Sequence, residues 1–231
     1  MIMKSSWRAE LFLWSVLAAM FAAAAWAWSR VPDQIPVHWN AAGEVDGYGG
    51  RFMGLLLIPL VTLGMHLLFM VLPAIDPCRT NYEGFAKVYA IFRGAIIAFM
   101  GAVYAATTLV ALGHRVDMGR IITVSLGLLF IVLGSYLGKV RPNWFVGIRT
   151  PWTLSSRLSW TKTHRLGGRL LVASGMATLL CGAVRPTWGV FVMLGTILPS
   201  TLAMTAYSYF VWQDDPDRTP SMGASPVDAN G

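Results

Sequence analysis

Of the 231 residues, 55% are hydrophobic and only 13% are charged. That is about half the charged share of a water-soluble domain, too little polar surface to coat one. The hydrophobicity excludes disorder over most of the length. The 23 glycines without a three-residue period exclude collagen, and two cysteines exclude a disulfide scaffold. An integral membrane protein remains, and in that class the net charge of +7 is informative through its distribution rather than as a sign of nucleic acid.

Six segments are long and apolar enough to predict spanning helices: residues 11–29, 52–72, 88–112, 121–137, 170–184 and 189–212. None alternates with the two-residue period of a barrel strand. The expected fold is therefore all-α, a bundle of six transmembrane helices with a structured extracytoplasmic loop and a basic, Trp-rich cytoplasmic loop. The fifth segment is short and fills a span only if residues 166–169 extend it, with Arg169 snorkelling. The first resembles a signal peptide in its basic Lys4 and Arg8 and in Ala25-Trp26-Ala27. Its 19 apolar residues exceed the usual signal core, which favours an uncleaved anchor.

With the N-terminus inside, twelve Lys and Arg fall on inner segments and five on outer ones. Arg93 lies a turn and a half into the third span, within snorkelling reach of the inner face. This split places both termini in the cytoplasm. Cys78 and Cys181 then lie at opposite faces and cannot pair. Residues 1–72 read as an N-terminal helix pair carrying the outer loop and 73–212 as a four-helix region. Residues 213–231, polar and rich in Pro, Gly and Asp, read as a disordered cytoplasmic tail. Gly134 and Gly138, and the Gly94-Ala98-Ala102 row, are small-residue faces suited to helix packing or self-association, although Ala and Gly are also simply common in such helices.

The outer loop runs from Arg30 to Arg51. Pro32 and Pro36 exclude a helix there. Ile35, Val37 and Trp39 alternate as in a short strand, and 40–43 and Asp46-Gly47 carry turn chemistry. The loop should be a compact cap. His38, Asn40, Glu44 and Asp46 gather one imidazole, one amide and two carboxylates within nine residues. The spacing fits neither an EF-hand nor HExxH, so turn-stabilising hydrogen bonds with Trp39 at the membrane interface are favoured over a metal, and no metal or cofactor is expected. Direct ligand recognition by His38, Trp39, Asn40, Gly43 and Asp46 is the functional alternative.

The inner loop, 139–169, holds seven basic residues and no acid; Trp144, Trp152 and Trp160 recur at eight-residue intervals. Such a pattern suits an anionic inner leaflet, and beyond topogenic charge bias its fixed Pro, Gly and Trp suggest a binding surface. A membrane-pinned loop disfavours nucleic acid as the partner. Ser155 or Ser156 is expected to cap a short amphipathic helix reaching about His164, with Leu154, Leu158 and Thr161 on one face and Gly167-Gly168 breaking the chain before the fifth span. His66 and Arg93 are isolated polar residues within spans. Without carboxylates at mid-span a proton relay is disfavoured, and packed or snorkelling roles are expected.

At these two loops the chain resembles the SdpI family of bacterial membrane proteins, named for immunity against a secreted antimicrobial peptide toxin. Val31-Pro32-Asp33-Gln34-Ile35-Pro36-Val37-His38-Trp39-Asn40, then Gly43 and Asp46, is similar to the LPxxIPxHWN element of a domain of unknown function that often precedes the SdpI region. The inner resemblance runs through Asn143, Trp144, Gly147, Arg149, Thr150, Pro151, Trp152 and the double serine to Trp160, Thr163, His164 and Arg165. Two departures mark this chain: Arg157 stands where the family commonly carries an acid, and Val31 and Arg51 replace the usual Leu and Lys. The resemblance implies a non-catalytic membrane protein of the bacterial cytoplasmic membrane, protecting against a secreted peptide and signalling its presence. The partners it implies are a peptide toxin outside and a regulatory protein inside, beside the bilayer that the hydropathy requires and a second copy of the chain that the small-residue faces would suit. The alternatives are a membrane enzyme using His38 with Glu44 or Asp46, or His164 inside, and a small transporter or complex subunit. No nucleophile-base pairing or phosphate loop supports catalysis.

Overall fold

The computed structural model describes residues 7–219. Within them, six helices are long and apolar enough to cross a membrane. In chain order these are α1 (Trp7–Ala27), α2 (Arg51–Ile75), α3 (Ala86–Ala111, preceded by a 3₁₀ turn over Arg79–Phe85), α4 (Met118–Leu137), α6 (Arg157–Val184) and α7 (Pro186–Gln213), with a single-turn α5 (Pro151–Leu154) inside the basic loop. Strands β1 (Gln34–Trp39) and β2 (Val45–Gly50) pair antiparallel between α1 and α2. The bundle has two groups: α1, α2 and α3 pack together, α4, α6 and α7 pack together, and α3 joins them through α4.

The two ends of the bundle have separate cores. At the hairpin end, Met20, Ala24 and Ala27 of α1, Leu55 of α2, and Tyr104 and Ala111 of α3 close over Val31 and Ile35. At the other end, Tyr82, Phe85, Tyr89 and Phe92 pack against Leu137, Val140 and Trp160. Connections sort the same way. The hairpin tip at Gly43 abuts Gly119 beside Pro186, so the α3–α4 and α6–α7 junctions share its end. Asn81 donates to the Pro142 carbonyl and Thr219 to the Ser155 carbonyl, placing the α2–α3 connection and the chain after α7 beside the basic loop.

Helix ends are specified locally. Gly113, at φ +88, ends α3 with His114 N–H bonding back to Leu109 and Gly113 N–H to Val110, the pattern that satisfies orphan carbonyls. Asp117 caps α4 by accepting from Arg120 N–H. Pro151 and Pro186 occupy first-turn positions of α5 and α7, where a missing N–H costs nothing.

The α4–α6 contact rests on glycine at seven-residue spacing. A Cβ on Gly134 would stand 2.7 Å from the Gly168 carbonyl oxygen, and one on Gly127 would stand 2.7 Å from that of Gly175. Gly182 continues the row against Thr123. Antiparallel backbones thus touch where lipid offers no hydrophobic drive.

Four expectations are corrected. Helix α6 runs unbroken from Arg157 to Val184: Gly167 and Gly168 are buried at helix contacts rather than breaking the chain, Leu154 lies in α5, and no separate amphipathic helix forms. A breaker in water is tolerated here because the continued helix keeps every backbone group bonded. Gly138 caps α4 beside Arg165 rather than joining Gly134 in the seam. Gly94 has no neighbour at its Cβ position, and Ala98 and Ala102 are exposed, so that row faces away from the bundle. Residues 214–219 are folded against the basic loop; the rest of the expected disordered tail lies outside the described residues.

Candidate functional site

The hairpin is held by its own sequence. Asn40 Oδ1 accepts the N–H groups of Ala42 and Glu44 at 2.9 and 3.0 Å, and its Nδ2 donates to Glu44 Oε2. Gly43 completes the turn at φ +83. His38 Nδ1 meets Asp46 Oδ1 at 2.5 Å across the strands, with both side chains well exposed. Arg51 pairs with Asp33 and reaches the Pro32 carbonyl. Below this polar surface Ile35 is fully buried and so close to Gly54 that no side chain would fit there. Trp39 is half-buried and Tyr48 exposed. Of the outer-loop residues singled out by sequence, the structure pairs His38 with Asp46 and Asn40 with Glu44; Gly43 instead contacts the start of α4. Among the described residues no three His, Cys, Asp or Glu side chains gather as a metal site.

The basic loop is built differently. Asn143, 1% exposed, donates to the Arg141 and Val146 carbonyls and accepts from the Phe145 and Val146 N–H groups. Gly147 turns at φ +115 and lies against the His164 ring, where any Cβ would collide with Nε2. That turn delivers the Ile148 N–H to His164 Nε2 at 3.0 Å. Because Nε2 accepts, the ring proton sits on Nδ1 and is donated to the Trp160 carbonyl at 2.8 Å. Trp160 stacks on His164 at 4.0 Å and donates its indole N–H to Val140. Thr150 caps α5 in a reciprocal pair with Thr153 and meets Ser208 of α7. Trp152 packs edge-on against Tyr209. Arg149 donates to the Trp144 carbonyl, and Thr163 is fully buried.

The structure thus brings Asn143, Gly147, Thr150, Trp160 and His164 together as an internal clasp. It leaves Arg149, Pro151 and Arg165 on the surface.

Three carboxylates organise this end, and sequence reasoning passed over all of them. Asp76, 2% exposed, follows α2 and accepts from Cys78 N–H, Tyr82 O–H and Trp144 N–H at 2.7, 3.0 and 2.9 Å. Asp215 is buried and accepts from Ser156, the residue that caps α6 through Ser159 N–H. Glu10 of α1 takes a two-pronged bond from Arg93 of α3 at 2.8 and 3.1 Å. Arg93 is 4% exposed and does not snorkel. The available signal was Arg93 itself: a cation within a span calls for a counter-charge. His66 of α2 is fully buried and edge-on to Trp14 of α1.

Residues 139–208 match the SdpI/YfhL protein family, and residues 16–63 match a domain of unknown function, DUF1648. Both matches agree with the family resemblance carried by the two loops. The family region spans the basic loop, α6 and most of α7, and the DUF1648 region spans most of α1, the hairpin and half of α2. No curated protein and no solved structure matches the chain. The SdpI/YfhL match and the six apolar helices fit a multi-pass membrane protein.

Proposed function

We propose that this chain is a non-catalytic immunity and receptor protein of the bacterial cytoplasmic membrane, with both termini cytoplasmic. It protects against a secreted, membrane-active antimicrobial peptide and relays that peptide's presence inward. The observation that carries this reading is the family match over the clasp and the two helices that follow it. The hairpin offers the outside docking surface: His38, Asn40 and Asp46 project polar groups beside exposed Tyr48 on a rigid, locally bonded frame.

Helix α2 supplies the connection. It begins where β2 ends and finishes one residue before Asp76, which holds the Trp144 amide. A displacement of the hairpin therefore reaches the basic loop through one element. Coupling of this kind requires a ligand that binds two bundle states with different affinity, and a regulatory protein inside would read the loop's exposed cations. Expression in a strain sensitive to such a peptide tests the reading. The chain should restore growth, and alanine at His38, Trp39 and Asn40 together should abolish it while membrane levels hold. Unchanged growth in both experiments sinks the proposal.

A further inference from the structure

Between the two helix groups, at the basic end, lies a cleft of about 350 Å³. Phe69 of α2, Phe92 and Ile96 of α3, and Leu133 and Leu137 of α4 form its walls, and Phe145–Ile148 of the basic loop close one side. Its polar lining is nearly all committed: the Tyr89 hydroxyl donates to the Phe69 carbonyl, and two Arg93 nitrogens are held by Glu10. One donor remains. Arg93 Nε is buried and has no acceptor among the described residues.

A cleft so lined excludes a polar solute and accepts a hydrocarbon chain. At roughly 30 Å³ per methylene-sized group, the share of one water in the liquid, it takes on the order of ten carbons. The flanking charges select the head of that chain. Lys139 lies two residues after Leu137 and Arg149 directly follows Ile148; both are exposed, and neither forms an ion pair among the described residues. An ester carbonyl is an acceptor of the kind Arg93 Nε lacks.

We infer that the cleft holds one acyl chain of an anionic phospholipid, with its phosphate between Lys139 and Arg149. The lipid bridges the two helix groups beside the α3–α4 contact that joins them. This inference is independent of the peptide-immunity reading.

Thermal unfolding of the full chain in detergent, with the tryptophans as reporters, tests it. Dioleoyl phosphatidylglycerol should raise Tm by several degrees, dioleoyl phosphatidylcholine by less than half as much, and dihexanoyl phosphatidylglycerol not at all. Ile96→Trp, which fills the cleft, should lose the rise. Lys139→Gln with Arg149→Gln should reduce the phosphatidylglycerol response to the phosphatidylcholine one. Equal responses to the two dioleoyl lipids, or a full rise in Ile96→Trp, overturn the inference. If Ile96→Trp does not fold, native mass spectrometry of the unaltered protein decides: one retained phosphatidylglycerol supports the cleft, and a lipid-free protein or a retained zwitterionic lipid overturns it.

Discussion

The hairpin and the basic loop both carry dense hydrogen bonding, but they spend it differently. In the hairpin every side-chain bond among Asn40, Glu44, His38 and Asp46 closes within eight residues and faces water. At the basic loop the bonds of Asp76 to Trp144, Asn81 to Pro142, Thr150 to Ser208 and Ser156 to Asp215 join positions 58 to 68 residues apart, and most of their groups are buried. An exposed bond exchanges readily with water and contributes about 1 kcal/mol or less. A buried donor or acceptor left without its partner costs the whole desolvation penalty. The hairpin is thus a frame whose surface can be altered without unfolding the bundle, and the basic loop is a clasp whose composition the bundle depends on.

The sharpest way to break this contrast is at Asp76. Asp76→Ala leaves the Trp144 and Cys78 amides and the Tyr82 hydroxyl without their acceptor. Each buried donor left unpaired costs about 1–3 kcal/mol, so a loss of about 3 kcal/mol or more is expected. The midpoint of SDS-induced unfolding should fall accordingly, and a loss below about 1 kcal/mol would place Asp76 outside the clasp. Next in size is Gly134→Leu. Any side chain there meets the Gly168 carbonyl and the Val172 amide, so α4 and α6 must separate. A loss of about 3 kcal/mol is expected, the upper end for overpacking a tight contact. Gly94→Leu, at an open position, should leave the same midpoint unchanged. Equal effects at the two glycines would dissolve the seam.

Gly147→Ala probes the clasp at a single turn. The residue sits at φ +115 and its Cβ would strike the His164 ring, so both strain and displacement of the Ile148–His164 bond follow. About 2 kcal/mol of destabilisation is expected, together with faster amide exchange at Ile148. Slow exchange at Ile148 in the variant would show that the turn does not hold that bond.

The ease of reading these regions from sequence follows the same division. The hairpin was legible because its causes are local: prolines at 32 and 36 stop a helix, and Asn40, Gly43 and Asp46-Gly47 turn the chain. The six spans were legible because hydropathy is a property of a window. The clasp residues were identified through resemblance, but their burial was not, since a basic and aromatic run reads as a surface. Asp76, Asp215 and Glu10 stayed hidden because each acts on a residue far away in the chain, and nothing beside Asp215 distinguishes it from a solvated tail acid. Gly167 and Gly168 misled for a physical reason: the residue that weakens a helix in water is the one that lets two helices touch in lipid.

A small structural effect should come from His38, and it carries the most functional weight. His38→Ala removes an exposed pair with Asp46, worth about 0.2–1 kcal/mol, and touches nothing in the bundle core. Its unfolding midpoint should stay within about 1 kcal/mol of the unaltered protein, while protection against the peptide falls. A frame that serves only to fold the loop predicts that protection stays intact. Asp46→Asn separates the two: it keeps a hydrogen-bonding partner for His38 but removes the charge, so loss of protection there assigns the effect to the ligand's charge rather than to hairpin shape. Growth assays beside an unfolding curve for the same two variants read both quantities at once.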